Sequence, residues 1–311
     1  MTNVDPNQIE WTKNPFKSVN EAIIAEASRT AVGMKFLPLY GPVPSAQTTV
    51  PSDTISITEG MTGKVFSVDQ GATTQLIELM VPFKLTQEQY EQEHLNTAVT
   101  LATRAANLLA QAKDLVFFQG NAQPTVDFFH ANPIGIGGGS TLPSNLVALL
   151  NPAPQNKITV SPKANTNGSK GIKYGEHTSS AVGQAYSLLQ SKGHYGPYAL
   201  VLHSDIYADI VESLDNTLIM PKDRITFFVT EVAIPPAKDE MRCYGTGTLR
   251  PFTGLFMSLG GDTMDAVVAN GPTTRFSTKE NGALKFEVFE RFTLRLKDPT
   301  AVVLLDFVQG A

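Results

Sequence analysis

Residues 86–120 read TQEQYEQEHLNTAVTLATRAANLLAQAKDLVFFQG, and this stretch decides the fold that the sequence predicts. Apolar and small residues recur there at steps of three and four, which return a side chain to one face of an α-helix. The positions are Leu95, Ala98, Ala102, Ala105, Leu109, Ala112 and Val116. Thr86 and Gln89 have the spacing of a capping box, and Gly120 can adopt the left-handed conformation that ends a helix. The pattern predicts one packing spine, on the order of 45 Å long.

Composition limits the classes of protein that this chain can represent. A length of 311 residues allows one large or two medium domains, and a charged fraction of 17% suggests that a partner covers part of the surface. A net charge of −5 without a basic run argues against a dedicated nucleic-acid binder. Cys243 is the only cysteine, which excludes an intrachain disulfide. With neither a signal peptide nor a long apolar segment, we expect a cytoplasmic protein without a membrane partner.

Two segments before the spine have clear patterns. Ser18 and Glu21 form a second capping-box pattern, which predicts a helix from Ser18 to about Val32 that Gly33 ends. Its predicted buried stripe is Val19, Ile23, Ala27 and Ala31. Residues 50–80 are rich in Thr, Ser, Val, Ile and Gly, and they predict a β-hairpin with too few large apolar residues for a core of its own. Such a hairpin is marginal alone in water, so we expect it to lie against something else.

After the spine, helix and strand patterns alternate before the chain becomes strongly β. Residues 121–177 look irregular, with one short helix over Leu142–Leu150. The following segments are predicted as helix, strand, helix and strand in turn: Ser179–Lys192, Tyr198–His203, Asp205–Leu214 and Ile225–Ala233. Leu284–Leu296 alternates as a half-buried strand, although Glu290 interrupts the apolar series. Ala301–Phe307 predicts a fully buried strand.

Candidate catalytic and ligand sites are weak. Glu91 and His94 place a carboxylate and an imidazole on one helix face, but a di-iron site needs a second such motif. The glycine run at 135–139 lacks the register of a phosphate-binding loop. Cys243 lies beside Arg242, which can activate a thiol, yet a lone cysteine is more often buried. We therefore expect no enzyme activity, no cofactor and no metal.

Several short blocks, in a fixed order, resemble one known family. They are 196–202 (GPYALVL), 260–262 (GGD), 289–294 (FERFTL) and 298–305 (DPTAVVLL), preceded by 33–36 (GMKF), 41–42 (GP), 76–79 (LIEL), 82–83 (PF) and 112–120 (AKDLVFFQG). In this set the chain resembles the encapsulins, in particular the family 1, linocin-like shell proteins of bacterial and archaeal nanocompartments. These proteins share the capsid fold of tailed phages.

The resemblance implies an α+β fold of the Hong Kong 97 capsid type, divided into five segments. These are 1–48 (N-terminal arm, helix and start of the P-domain), 49–80 (E-loop), 81–125 (spine helix of the P-domain), 126–255 (A-domain) and 256–311 (C-terminal strands of the P-domain). Within the A-domain region, loops 121–177 and 220–255 look longer than in compact members.

The resemblance also implies a structural function: copies of the chain assemble into an icosahedral shell around a cargo enzyme. The expected cargo is a peroxidase or a ferritin-like iron-storage enzyme that docks through a short C-terminal peptide. Candidate residues are Ile24, Ala31 and Met34 for the peptide groove; Ile55, Ile57, Val65 and Phe66 for E-loop contacts between subunits; and Asn216, Met220, Lys222 and Asp223 for the pore.

Two other functions stay open at this point. A phage or prophage major capsid protein that packages DNA would have the same fold, although no nucleic acid is expected from the charge. An enzyme acting alone would depend on Cys243 or on Glu91 with His94.

Overall fold

A computed structural model describes residues 14–41, 43–60, 63–69, 71–91, 96–120, 146–151, 155–162, 173–212, 219–231 and 240–309. Within these ranges the chain forms six α-helices and fifteen β-strands. Most apolar side chains belong to two large cores that lie on opposite faces of one β-sheet.

The first helix, α1, runs from Asn14 to Thr30. The predicted stripe is confirmed, because its side chains are all buried: Val19, Ile23, Ala27 and Ala31. The predicted start at Ser18 is wrong, since Ser18 lies inside the helix and cannot cap it. Phe16 is also buried in the core, so it extends the apolar stripe toward the N-terminus and the helix with it.

The first residues of the predicted spine form a separate short helix, α2, at Gln87–Tyr90. Its capping box is confirmed: the Gln89 N–H donates to Thr86 Oγ1 at 3.2 Å, and the Thr86 N–H donates to Gln89 Oε1 at 3.0 Å. The helix ends at Tyr90, whose ring stacks on Phe286 with centroids 6.2 Å apart. The prediction of one helix from Thr86 is therefore wrong.

The spine proper, α3, spans Asn96–Gln119 and 24 residues, which corresponds to about 36 Å. Gly120 follows it with φ +61°, so the predicted left-handed end is confirmed. The predicted face is also confirmed for its described members, which are buried: Ala98, Ala102, Ala105, Leu109, Ala112 and Val116. From Lys113 onward every side chain of the helix is buried, so this end has no solvent-facing side.

A four-stranded sheet supports one side of α3, in the order β1-β13-β14-β6. β13 (Met264–Glu280) and β14 (Ala283–Leu296) form a long antiparallel pair. β6 (Ile77–Thr86) is antiparallel to β14, and β1 (Leu39–Tyr40) is a parallel edge strand beside β13. The burial predicted for the even apolar positions of residues 284–296 is confirmed, since they lie in the core that contains α3. The prediction of a half-buried strand is wrong toward the end of β14, where every residue from Phe292 to Leu296 is buried.

A five-stranded sheet lies at the C-terminal end of α3. Its order is β11 (Cys243–Thr246), β8 (Tyr198–His203), β12 (Thr253–Ser258), β15 (Val302–Phe307) and β7 (Lys157–Val160). The predicted strands at 198–203 and 301–307 are confirmed, whereas β7 falls in the stretch predicted to be irregular. The boundary expected between residues 255 and 256 falls inside β12.

The five-stranded sheet is buried on both faces. Ala199 and Val201 of β8 belong to the core that contains α3, whereas Leu200 and Leu202 belong to the second core. That second core is covered by α4 (Gly175–Ser191), α5 (Ser204–Val211) and α6 (Pro221–Val229). Burial on two sides explains the continuous apolar runs of these strands. Helices were predicted at the positions of α4 and α5, with ends a few residues away.

The predicted strand at Ile225–Ala233 is wrong over most of its length, because α6 occupies residues 221–229. Pro221 stands at the first helical position, and the Asp223 carboxylate accepts the Met220 N–H at 3.0 Å. The apparent alternation misled because Phe227 is 88% exposed, while Ile225 and Val229 share the buried face. Only β9 (Thr230–Glu231), paired with β10 (Glu240–Met241), is extended.

The helix predicted at Leu142–Leu150 is also wrong in its described part, residues 146–150, which is not helical. Leu149 and Leu150 instead donate backbone N–H groups to the carbonyls of Phe117 and Phe118, at 3.0 and 2.9 Å. Those carbonyls lie in the last turn of α3, where a helix leaves its acceptors unsatisfied. The segment therefore closes the end of the spine. The glycine run at 135–139 lies outside the described residues.

The predicted hairpin is confirmed and forms what we call the arm, residues 49–75. Its outer part is the antiparallel pair β3 (Thr54–Gly60) and β4 (Gly63–Asp69). Its root is the antiparallel pair β2 (Thr49–Pro51) and β5 (Thr73–Gln75). The arm thus leaves the body and returns to it at one place, just before β6.

A buried ion pair joins the spine to the four-stranded sheet. Lys113 Nζ lies 2.8 and 2.9 Å from the two carboxylate oxygens of Glu290. The two side chains are 4% and 2% exposed. This pair accounts for the acidic residue that interrupts the apolar series of β14, because Glu290 faces the helix and meets its cation there.

We expect Lys113→Ala to destabilise the protein by about 3–5 kcal/mol, because it leaves the Glu290 carboxylate buried without a counter-charge. The double variant Lys113→Met with Glu290→Leu should recover most of that loss, since both desolvated charges are removed. Urea denaturation measures the effect. Lys17→Ala is the control, because Lys17 and Glu21 form an exposed pair whose loss costs at most about 1 kcal/mol. Equal losses of unfolding free energy for Lys113→Ala and Lys17→Ala would contradict the claim that the Lys113–Glu290 pair is a buried ion pair on which stability depends.

Candidate functional site

The arm exposes an apolar face. Its register pairs Ile57 with Phe66 and Ile55 with Val68, and directly opposed residues share one face of a hairpin. Phe66 is 77% exposed and Val68 is 48% exposed, so this face is largely uncovered in the single subunit. An aromatic ring left in water loses the stabilisation of burial, which amounts to about 1.5–3 kcal/mol for a side chain of this kind.

The residues expected to make E-loop contacts therefore lie together on the outer arm. Ile55 and Phe66 have positions on the apolar face, and Ile57 is the register partner of Phe66. Val65 is exposed and pairs with Thr58, which places it on the other face of the hairpin. Their contact with a neighbouring subunit remains a prediction.

The root of the arm is tied to the body through one buried arginine that sequence reasoning missed. Arg295 donates from Nε and Nη2 to the two Asp265 oxygens at 2.7 and 2.6 Å, and from Nη1 to Asp53 Oδ2 at 2.6 Å. Its Nη1 also donates to the Pro51 carbonyl at 3.1 Å, and its guanidinium carbon lies 3.7 Å from the centroid of the Tyr40 ring. Arg295 was missed because it occupies an odd position of β14, and the charged residues at those positions were taken to face solvent.

A surface cleft of about 610 Å³ lies beside this root. Its apolar lining comes from the segment between β1 and β2 and from those two strands: Leu39, Tyr40, Val43, Pro44, Val50 and Pro51. Arg291 fixes the wall of the cleft, because its guanidinium donates to the carbonyls of Ser45 and Gln47 at 2.5 and 3.1 Å. Pro38, Pro42 and Pro44 in this segment are typical of an extended connection, and no pattern there predicts a cleft.

The three residues expected to line a cargo groove do not share one environment. Ile24 is 51% exposed on α1, and Met34 is partly buried against the main core. Ala31 is fully buried, so its side chain is inaccessible in the single subunit. Their role in peptide binding stays a prediction. Of the three side chains, only those of Ile24 and Met34 are accessible to a peptide.

The outer surface of α1 is joined to α3 through Glu26. The hydrogen bond from Arg29 is the main cause that lowers the pKa of the Glu26 carboxyl to about 2, and hydrogen bonds from Asn107 and Thr30 add to it. The Asn107 amide of α3 donates to Glu26 at 2.6 Å, and the Arg29 guanidinium donates at 2.6 and 2.9 Å. The carboxylate therefore stays charged across the neutral range and holds this surface in place.

The end of α1 is held by a buried carboxylate of the spine. Asp114 accepts the Val32 and Gly33 N–H groups at 2.7 and 2.9 Å. Burial raises the pKa of Asp114 to about 6, against the opposing effect of those two hydrogen bonds. A carboxylate that is costly to ionise thus lies at the joint between α1 and α3.

Since the unfolded Asp114 carboxyl loses its proton near pH 3.8 and the folded one near pH 6, ionisation disfavours the folded state between these values. We expect the unfolding free energy of the protein, measured relative to that of Asp114→Asn, to fall by about 3 kcal/mol as pH rises from about 4 to about 6. Urea denaturation at several pH values measures it. A difference between the two proteins that is independent of pH would refute the assignment.

The predicted pore residues are described only in part. Asn216 lies outside the described residues, and Met220 is partly exposed just before α6. Lys222 Nζ donates to the Tyr207 hydroxyl at 3.1 Å, and Asp223 accepts the Met220 N–H. Both charges thus make contacts within their own subunit. The contribution of these residues to a pore stays a prediction.

The structure gives no support to the candidate catalytic groups. Cys243 is buried, and burial raises the pKa of its thiol to about 11, which opposes formation of a nucleophilic thiolate. Glu91 accepts a hydrogen bond from Gln87 at 2.7 Å, whereas His94 lies outside the described residues. Across the described ranges, His, Cys, Asp and Glu side chains form no cluster suited to a metal ion. Of the helices described, none is long and apolar enough to cross a membrane.

Sequence comparison places the chain beside proteins that form shells. Residues 1–127 and 158–293 match the model of the Linocin_M18 family, described as encapsulating protein for peroxidase. The type 1 encapsulin shell protein of Myxococcus xanthus (strain DK1622) is 24% identical over 325 residues, which cover 97% of each chain.

Structural comparison shows the fold. The virus-like particle protein of Pyrococcus furiosus superimposes with a TM-score of 0.64 at 15% identity, over 94% of this chain and 100% of that one. The protein of Mycobacterium phage Ogopogo superimposes with a TM-score of 0.55 at 12% identity, over 89% and 91% of the two chains. These likenesses confirm the predicted α+β fold of the phage-capsid type.

Proposed function

Because the chain belongs to the Linocin_M18 family of encapsulin shell proteins, we propose that its icosahedral capsid-like shell encloses a cargo enzyme in the cytoplasm. The chain is a structural subunit rather than an enzyme, and its main partner is itself. The family description names peroxidase, which supports a peroxidase as the cargo. A ferritin-like iron-storage enzyme is the second cargo that the resemblance implies.

One observation carries the proposal of self-assembly: the chain projects an arm that it cannot bury. Phe66 and Val68 lie on an exposed apolar face whose two strands have no third strand beside them in the described structure. A two-stranded hairpin of this kind is marginal in water, and a partner surface would stabilise it. In a shell, neighbouring copies of the same chain supply that surface.

We expect deletion of residues 54–71 to give a soluble subunit that no longer assembles. The deletion removes the outer arm but leaves the β2–β5 root, both large cores and the Lys113–Glu290 pair in place. Negative-stain electron microscopy and size-exclusion chromatography measure the outcome, and circular dichroism checks that the subunit remains folded. Intact shells from the deleted chain would contradict the role of the arm.

The exposed surface of α1 is where we place cargo docking, through a short C-terminal peptide of the enzyme. Ile24 offers an exposed apolar side chain on a helix that Glu26, Asn107 and Asp114 hold rigidly against the spine. A peptide gains affinity by burying apolar side chains against a surface that is already ordered. Met34, which is partly buried against the main core, is the other accessible residue of the predicted groove.

We expect Ile24→Asp to give normal shells with less cargo, because a carboxylate at the centre of the apolar contact is costly to desolvate. Ser18→Asp is the control, since Ser18 is an exposed residue on another face of α1. Particles purified from the native host are compared by mass spectrometry of their enzyme content and by electron microscopy. Equal enzyme content in the two variants would place docking elsewhere.

A phage or prophage capsid protein that packages DNA is the second candidate, favoured by the likeness to the phage protein. The two functions differ in what the particle contains. An encapsulin shell has a protein absorbance spectrum and an enclosed enzyme, whereas a DNA-filled capsid absorbs mainly near 260 nm. The net charge of −5 favours the protein container, because a surface that binds DNA uses clustered Lys and Arg.

A further inference from the structure

We propose that Lys192 and Asn156 are joined by an isopeptide bond, which the chain forms by itself with release of ammonia. The inference goes beyond the proposed function, because the bond lies within one subunit. Lys192 Nζ donates a hydrogen bond to the side-chain carbonyl of Asn156, although the two residues are 36 positions apart in the chain. An amine in direct contact with a carboxamide is the pair of groups from which such a bond forms by nucleophilic attack.

The carboxamide of Asn156 is held in one orientation. Asn156 lies just before β7 and is fully buried. Its Nδ2 donates to the carbonyls of Thr300 and Val302 at 2.6 and 3.0 Å, and its backbone carbonyl accepts the Leu304 N–H at 2.8 Å. These bonds leave the carbonyl side of the amide toward Lys192. A fixed geometry between two reacting groups removes much of the entropy cost of bringing them together.

The amine comes from the end of a packed helix. Lys192 follows the last residue of α4, and its backbone N–H donates to the carbonyl of Leu189, which is fully buried, at 3.1 Å. Burial lowers the pKa of the Lys192 side chain, against the opposing effect of Asp298. A lower pKa increases the fraction of neutral amine, which is the form that attacks a carbonyl carbon.

Asp298 supplies a group that can move the proton. Its Oδ1 accepts the backbone N–H and the hydroxyl of Thr300 at 2.9 and 2.6 Å, at the start of the single-turn 3₁₀ helix Pro299–Ala301. Its Oδ2 lies 3.7 Å from Nε2 of His194. Thr300 therefore holds the Asp298 carboxylate with its side chain and the Asn156 amide with its carbonyl. A carboxylate positioned in this way can accept a proton from one nitrogen and return it to another.

The reaction balances without any added reagent. The neutral Lys192 amine attacks Cγ of Asn156, so that an Nζ–Cγ bond forms and the Cγ–Nδ2 bond breaks. Asp298 accepts a proton from Nζ and passes it to Nδ2, which leaves as ammonia. The product is a neutral amide that closes a covalent loop containing β7 and α4.

Mass spectrometry of the purified, denatured full-length chain tests the proposal. The intact chain should weigh less than its sequence by one ammonia molecule, and a proteolytic digest should yield a branched peptide that joins Lys192 to Asn156. Lys192→Arg keeps the positive charge but cannot form the bond, so its mass should equal that of its sequence. Lys173→Arg is the matched control, because Lys173 contacts the Glu212 carboxylate instead of an amide. This control should keep both the mass deficit and the branched peptide.

Asp298→Asn tests the proton transfer. Asparagine keeps an oxygen for the two bonds from Thr300 but is not a base, so linkage in freshly synthesised chains should slow by about 100-fold. Mass spectrometry at successive times after a pulse of synthesis measures the rate. Linkage at the rate of the unmodified chain would overturn the role of Asp298.

Two results would overturn the isopeptide bond itself. One is an unmodified chain that has the mass of its sequence and gives separate peptides from the two segments. The other is an ammonia deficit that persists in Lys192→Arg, since the ammonia would then come from another site. Both results are read from the denatured chain, so they are independent of whether its copies assemble into a shell.

Discussion

Burial of the C-terminal half of α3 between two sheets is the constraint on which the rest of the structure depends. Phe117 meets Phe292 of the four-stranded sheet edge-to-face, with centroids 5.3 Å apart, while Gln119 donates to the Thr248 carbonyl at 2.6 Å near the five-stranded sheet. A helix enclosed on all sides must satisfy its polar groups inside the protein. Lys113 and Asp114 do so with Glu290 and with the end of α1, and these contacts set the positions of the sheet and the first helix.

The helices and strands that could be predicted from the sequence were those in which the spacing of apolar residues follows the spacing of buried positions. α3 and β14 each have one clear apolar face, and the buried positions of that face were identified from spacing alone, whereas the other buried residues at the ends of both elements were not. α6 was misread because Phe227 is exposed, so an apolar residue in the pattern did not indicate the core. β7 was missed because a short strand within a polar, proline-rich stretch carries too weak a period, and its place is decided by pairing with β15.

Of the candidate site, the sequence predicted only the exposed arm, because the composition of the hairpin showed that it could not form a core of its own. A hairpin with few large apolar residues had to lie against another surface, and its apolar face is indeed exposed in the single subunit. The Arg295 cluster was beyond sequence reasoning, because it brings together residues from positions 40, 53, 265 and 295. Contacts so distant in the chain leave no spacing that a pattern can detect. Ala31 was chosen for the cargo groove by family resemblance, yet its side chain is fully buried, because resemblance does not tell an accessible side chain from a buried one.

The two carboxylates that hold Arg295 belong to different parts of the molecule. Asp265 is in the body, on β13, and binds the guanidinium through two oxygens, whereas Asp53 is at the arm root with φ +49° and binds through one. If the arm swings away, the cation keeps its stronger counter-ion and is never left uncompensated inside the protein. The charge balance inside the body therefore does not depend on the position of the arm.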